Sequence, residues 1–140
     1  FATGEIPGFI NVGASSRLKD LGLPASFSNY GDKSVDLFAP GHRILSAIPE
    51  NGYATYSGTS MACPAAAGVA ALVWSHFPAL NAVQLKAILK ETVRKYEGFD
   101  VRLPGADQFD LPVPFASLSE TGGIVDAKAA LELTKFLSEN

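Results

Sequence analysis

The sequence predicts an α/β domain, and three observations carry that reading. Phe9-Ile10-Asn11-Val12-Gly13-Ala14 and Val35-Asp36-Leu37-Phe38-Ala39 are short, largely apolar runs flanked by turn-forming residues, the pattern of buried strands. From Met61 to Ser75 no charged residue occurs and apolar or small side chains cover every face, which predicts a helix buried inside the domain. The chain has 140 residues, 47% of them hydrophobic and 18% charged, enough to bury a single core.

The elements follow in order. No charged n-region or cleavage pattern follows Phe1, so the chain reads as the trailing part of something longer. After the 9–14 strand, Arg17 to Pro24 reads as a surface loop, and Ala25 to Gly31 leads into a second strand that Pro40-Gly41 stops. Arg43 to Ile48 and Tyr53 to Tyr56 flank Asn51-Gly52, a type I′ turn signal, and predict a hairpin that delivers the chain to Gly58-Thr59-Ser60. In the helix that follows, Gly68 costs about 1 kcal/mol against Ala and Pro64 removes a donor, so close backbone packing is expected to offset both.

Phe77-Pro78 closes that helix. Asn81 with Gln84 forms a capping-box pattern, and Val83, Ala87, Ile88 and Leu89 give the next helix an apolar stripe. Tyr96 to Gly122 sets five acids against Arg102 alone and carries Pro104, Pro112 and Pro114, so it reads as a solvated surface excursion. Its Leu111 to Phe115 stretch is an alternative docking tip. Gly123 to Ala127 predicts a closing strand, with Asp126 as N-cap of a last helix bearing Ala129, Ala130, Leu131, Leu133 and Phe136.

A net charge of -3 with no basic run argues against a nucleic-acid partner. Met61 to Trp74 falls short of the roughly 20 residues a bilayer span needs, so the chain reads as soluble. The single cysteine, Cys63, excludes an intrachain disulfide framework.

Chemistry centres on Ser60. A hydroxyl at the start of a helix meets free N–H groups that favour developing negative charge, which makes Ser60 a candidate nucleophile. The plain alternative is that Thr59 or Ser60 is only an N-cap. A serine nucleophile needs a base, and the chain has two histidines. His76 lies sixteen residues beyond Ser60, about 24 Å along an unbroken helix at 1.5 Å per residue. His42 falls in the order Asp36, His42, Ser60, a tempting triad. An α/β-hydrolase elbow fails because Ala62 stands where that turn wants Gly, and no acid falls between Met61 and Ser75. Cys63 reads as a packing group, and Met61 as a side chain lining the site and open to oxidation.

Gly58-Thr59-Ser60-Met61-Ala62, with Pro64, Ala67 and Gly68, resembles the nucleophile motif of the subtilisin-like serine proteases, the subtilases or peptidase family S8. Ala65 stands where that family usually has His, and Ala66 where Val is common. Val35-Asp36 with Ala39-Pro40-Gly41, and Phe9 to Ala14, are similar to two further family segments in the expected order. The resemblance implies a three-layer α/β/α fold with a mostly parallel sheet. Residues 1–140 would be only the C-terminal portion of one peptidase domain, with a surface insertion at 96–122.

It implies peptide-bond hydrolysis by a Ser/His/Asp triad. Ser60 would be the nucleophile, while Asp, His and the oxyanion Asn lie upstream of residue 1. Asn11 is not that Asn, and Asp36 and His42 belong to a segment that does not supply the triad. The implied partners are a polypeptide substrate and the N-terminal part of the same domain, the implied location is secreted or extracytoplasmic, and no cofactor is required. A weak calcium or monovalent cation site at Asp36, beside Ser34, is the one metal expectation. The rival reading is a non-catalytic processed fragment or inactive module that binds another polypeptide. A lone fragment of this kind is expected to expose an unpaired sheet edge and apolar helix surface.

Overall fold

The computed structural model describes residues 6–18 and 20–140. Strands β1 (Val12–Ser15) and β2 (Leu37–Pro40) pair in parallel, Val12 opposite Leu37 through Ser15 opposite Pro40. Between β2 and the first helix lies an antiparallel hairpin of β3 (Ile44–Ile48) and β4 (Gly52–Tyr56). Helices α1 (Thr59–His76) and α2 (Ala82–Glu91) follow, then β5 (Arg94–Lys95). The excursion contributes an antiparallel pair, β6 (Asp100–Val101) with β7 (Val113–Pro114), and a 3-10 turn at Phe115–Leu118. Strand β8 (Gly123–Ile124) runs parallel to β2 and antiparallel to β5, and α3 (Ala127–Glu139) ends the chain. The main sheet therefore runs β1-β2-β8-β5, parallel except at β5.

Alternation along β2 divides the core. Leu37 and Ala39 face α1, α2 and α3 with Ala14, Ala62, Ala66, Val73, Leu85 and Leu89, while Phe38 points to the opposite face. There Phe38 stacks at a tilt on Phe115, ring centres 5.1 Å apart, beside Leu23, Val35, Val101 and Leu118. Among the described residues all three α-helices lie on the first face, and the layer on the second is built by the excursion. The excursion is thus not only a solvated surface loop: Val101, Phe115 and Leu118 are fully or almost fully buried, and only its middle, with Phe109 at 86% and Leu111 at 85% exposure, stands out in solvent.

Other expectations shift. The first strand starts at Val12 rather than Phe9, which is 53% exposed. The hairpin turn sits one residue early: Glu50 and Asn51 take the left-handed backbone conformation, and Gly52 already belongs to β4. The capping box at Asn81 and Gln84 is present in both directions, each hydrogen bond 2.9 Å. Asp126 caps α3 through Lys128 N–H and Ala129 N–H.

Within this chain α1 is only partly buried, which leaves the exposed helix surface expected of a lone fragment. Only Ala62, Ala66 and Val73 are buried, and the stripe through Ser60, Pro64, Ala67, Gly68 and Ala71 is exposed. A methyl group placed on Gly68 would meet nothing within 4 Å, so the close packing expected there is not made by the described residues. Val12 N–H and C=O have no hydrogen-bond partner among the described residues, and the outer edge of β1 is covered only at its C-terminal end. Residues 23–28 fold along it, with Ala25 N–H donating to Ala14 C=O at 2.9 Å and Ala14 N–H to Ser28 Oγ at 2.8 Å.

Candidate active site at the start of helix α1

Ser60 is held by the turn in front of it. Gly41 follows Pro40 at the end of β2, where its N–H bonds Ser15 C=O at 3.0 Å, and its own carbonyl accepts Gly58 N–H at 2.8 Å. A side chain on Gly41 would come within 2.7 Å of Gly58 O and 2.8 Å of Ala14 Cβ, so the close approach requires glycine. That contact pins the first turn of α1 onto the sheet.

The helix starts without a side-chain cap: its N-cap is Gly58, and Thr59 and Ser60 occupy the first and second helical positions. The reading of Thr59 or Ser60 as a mere cap is thereby lost. Met61 and Ala62 return their N–H groups to Gly58 C=O at 3.0 and 3.3 Å, whereas the Ser60 N–H has no acceptor among the described residues. The Ser60 hydroxyl is exposed and makes no hydrogen bond among them either. Pro64 lacks the N–H that would bond the Ser60 carbonyl in a regular helix. An exposed nucleophile candidate, a free backbone donor beside it and the positive end of an 18-residue helix thus converge on one point.

Neither histidine reaches it. His76 Nδ1 lies 2.9 Å from Leu72 O and 3.3 Å from Ser75 Oγ at the far end of α1. His42 follows Gly41 and tilts against Phe27, ring centres 6.3 Å apart, with no hydrogen bond to Ser60. Asp36 cannot orient His42, because its carboxylate is engaged elsewhere: Oδ2 accepts Asn11 N–H at 2.6 Å, and Oδ1 lies 3.1 Å from Lys86 Nζ and 3.5 Å from Lys90 Nζ. Lys90 also pairs with Glu120 at 2.5 Å. Burial pushes the Asp36 carboxyl up, but the Asn11 N–H and the two ammonium groups outweigh it and hold the carboxyl below its ordinary value.

Two positive charges against Asp36 do not suit a metal cation, and among the described residues no three His, Cys, Asp or Glu side chains gather as a metal site would need. Cys63, expected to pack, is exposed, and Met61 is half-buried with its sulfur facing Gly58. The Lys86 and Lys90 partnership was missed from the sequence. Its signal was available: two lysines four residues apart share one face of α2.

The sequence profile of the subtilase family matches residues 2–109 of this chain. The chain belongs to the subtilase family. The matched stretch takes in β1, β2, the hairpin, α1 and α2, and so the whole setting of Ser60.

Among curated subtilases, the chain is 49% identical over 74 residues to subtilisin-like protease 2 of Plasmodium falciparum, which is 53% of this chain and 5% of that protein. It is 50% identical over 68 residues to alkaline elastase YaB of a Bacillus strain and 53% identical over 73 residues to subtilisin-like protease 5 of Trichophyton tonsurans, in each case about half of this chain and 18% of the relative. The chain therefore spans only a small part of the subtilases it matches. Among solved structures it superposes on a cold-adapted subtilisin-like serine proteinase with a TM-score of 0.56 and 41% identity, over 65% of this chain and 32% of that one. The A subunit of the AB5 toxin from E. coli gives 0.68 and 26% identity, over 89% and 37%. These likenesses bear out the subtilisin-like α/β fold as a partial domain.

Proposed function

We propose that this chain is the C-terminal, nucleophile-bearing portion of one serine endopeptidase domain, with residues 96–122 as a family insertion. The observation that carries this reading is Ser60 itself, an unbonded hydroxyl on the first turn of α1 beside its own free N–H. Ser60 Oγ attacks the scissile carbonyl carbon, and its proton passes to a histidine supplied upstream of residue 1 and oriented by an upstream Asp. The oxyanion that forms is stabilised by Ser60 N–H and an upstream Asn. The amine leaves with the histidine's proton, and water releases the acyl group. The substrate is a polypeptide, and the N-terminal part of the domain is the partner against which α1's open stripe packs. The setting is secreted or extracytoplasmic.

No cofactor takes part. The Lys86 ammonium occupies one oxygen of Asp36, so calcium is expected to leave the thermal midpoint unchanged. A rise of several degrees that Asp36→Ala removes would reverse this.

The reading is tested with an organophosphate on the full-length protein. Ser60 is the expected modified residue, with labelling far slower once the upstream segment is removed. Equal labelling with and without that segment, or labelling elsewhere, would overturn it.

A further inference from the structure

A cavity of about 360 Å³ lies between the 16–26 loop, His42 and the start of the excursion's middle. Its place is fixed by the same bonds that hold the nucleophile turn. Ser16, in its wall, follows Ser15, whose carbonyl accepts Gly41 N–H, and His42 follows Gly41, whose carbonyl accepts Gly58 N–H. One hydrogen bond and two residues separate the cavity wall at Gly41-His42 from Ser60.

Arg102 forms part of the opposite wall. Its backbone N–H bonds Leu21 C=O at 2.8 Å, and the fully buried Val101 behind it holds that end of β6 in the core. The residue is half-buried, yet its side chain makes no hydrogen bond or ion pair with any described residue. This is unusual in a stretch where acids outnumber it five to one. Glu120 pairs with Lys90, Asp110 accepts Asp107 N–H at 2.8 Å, and among the described residues no carboxylate lines the cavity. Ser26, also in the wall, has a hydroxyl that bonds nothing among the described residues, and the His42 ring likewise makes no hydrogen bond among them.

A guanidinium on a partly desolvated wall, with no internal acid, is matched by a carboxylate that can take two parallel N–H bonds. We propose that this cavity is a substrate subsite for an acidic side chain, Glu or Asp, with Arg102 as its specificity-determining residue. The inference rests on the peptidase reading above. It adds to it the class of residue that a substrate presents one or more positions from the scissile bond.

The test uses the full-length protein and peptides identical except for Glu or Gln at one position, scanned across both sides of the cleaved bond. At one position the Glu peptide is expected to exceed its Gln twin about tenfold in kcat/KM. The ratio is internal to each protein sample and does not depend on the fraction folded. It should fall to about one in Arg102→Met and favour a Lys peptide in Arg102→Glu. A ratio of one at every position in the unmodified protein, or a Glu preference that survives Arg102→Met, overturns the subsite. If no peptide is cleaved, the peptidase reading fails instead. The subsite is then read by peptide binding to Ser60→Ala protein, where equal affinities for the Glu and Gln peptides overturn it.

Discussion

At Gly41 a single hydrogen atom in place of a side chain decides where Ser60 sits. A methyl group there would press on Gly58 O at 2.7 Å and Ala14 Cβ at 2.8 Å, and the only relief is to push the first turn of α1 off the sheet. Displacements near 1 Å can cost about a hundredfold in rate. Gly41→Ala is therefore expected to slow organophosphate labelling of Ser60 in the full-length protein by tenfold or more, with a smaller effect on overall fold by circular dichroism.

Asp36 gives a pH prediction of definite sign. A carboxyl held below its ordinary value in the folded state contributes stability above its unfolded pKa of about 4, and loses it as pH falls through the lower folded value. Asp36→Asn should thus lower the melting temperature at pH 7 and flatten the acid limb below about pH 4, which a pH series of thermal melts reads directly. The loss at neutral pH is expected near 2 kcal/mol, the scale of hydrogen bonds to a charged group.

At the scale of elements, α1 is the informative case. It presents small residues to the outside over several turns, with Gly68 in the middle and open space above it. Gly68→Ala in the isolated chain should raise the midpoint of unfolding, by about 1 kcal/mol of helix propensity. If the proposed N-terminal part of the domain packs closely on that stripe, the same substitution in the full-length protein should lower it. Opposite signs in two denaturation experiments would locate the contact without a structure of the complex.

The same helix shows what was legible and what was not. Its extent, and the capping boundaries of α2 and α3 at Asn81 and Asp126, follow from local rules and stand as read. Its burial does not, because an all-round apolar composition reports the surroundings of the whole domain, and this chain supplies only part of them. The excursion failed for the reverse reason. Val101, Phe115 and Leu118 are scattered among prolines and acids with no period, and only the tertiary partner Phe38 makes them core. Ser60 was visible because its setting is a contiguous motif. Arg102 was not visible as a site residue because its meaning depends on whether an acid folds against it.

For the whole molecule, two faces of different character follow. Residues 23–28 cover only the C-terminal end of the β1 edge, so the unfinished surface takes in the outward N–H and C=O of Val12 as well as the exposed stripe of α1, among the described residues. The isolated 140-residue chain is expected to hydrolyse peptides negligibly. On the proposed reading the triad's His and Asp and the oxyanion Asn lie upstream of residue 1, and loss of triad members leaves only about 10³ to 10⁴ over water. It should also self-associate through α1, seen as concentration-dependent sedimentation that the upstream segment suppresses. Robust proteolysis abolished by His42→Ala would show instead that the base lies within the chain.

The short β6/β7 pair acts as a clip. Val101 opposite Val113 fastens the two ends of the excursion, and both ends continue into buried core at Val101 and Phe115. What lies between them past the cavity wall, from Asp107 to Leu111, is tethered mainly by its own local turns. Severing the backbone there should leave two pieces that migrate apart in denaturant yet elute together under native conditions. Doubling the loop's length with inert sequence should cost only about 0.6 kcal/mol of closure entropy. The Asp107 to Leu111 tip is thus a natural place for this fold to accept a foreign epitope or a reporter.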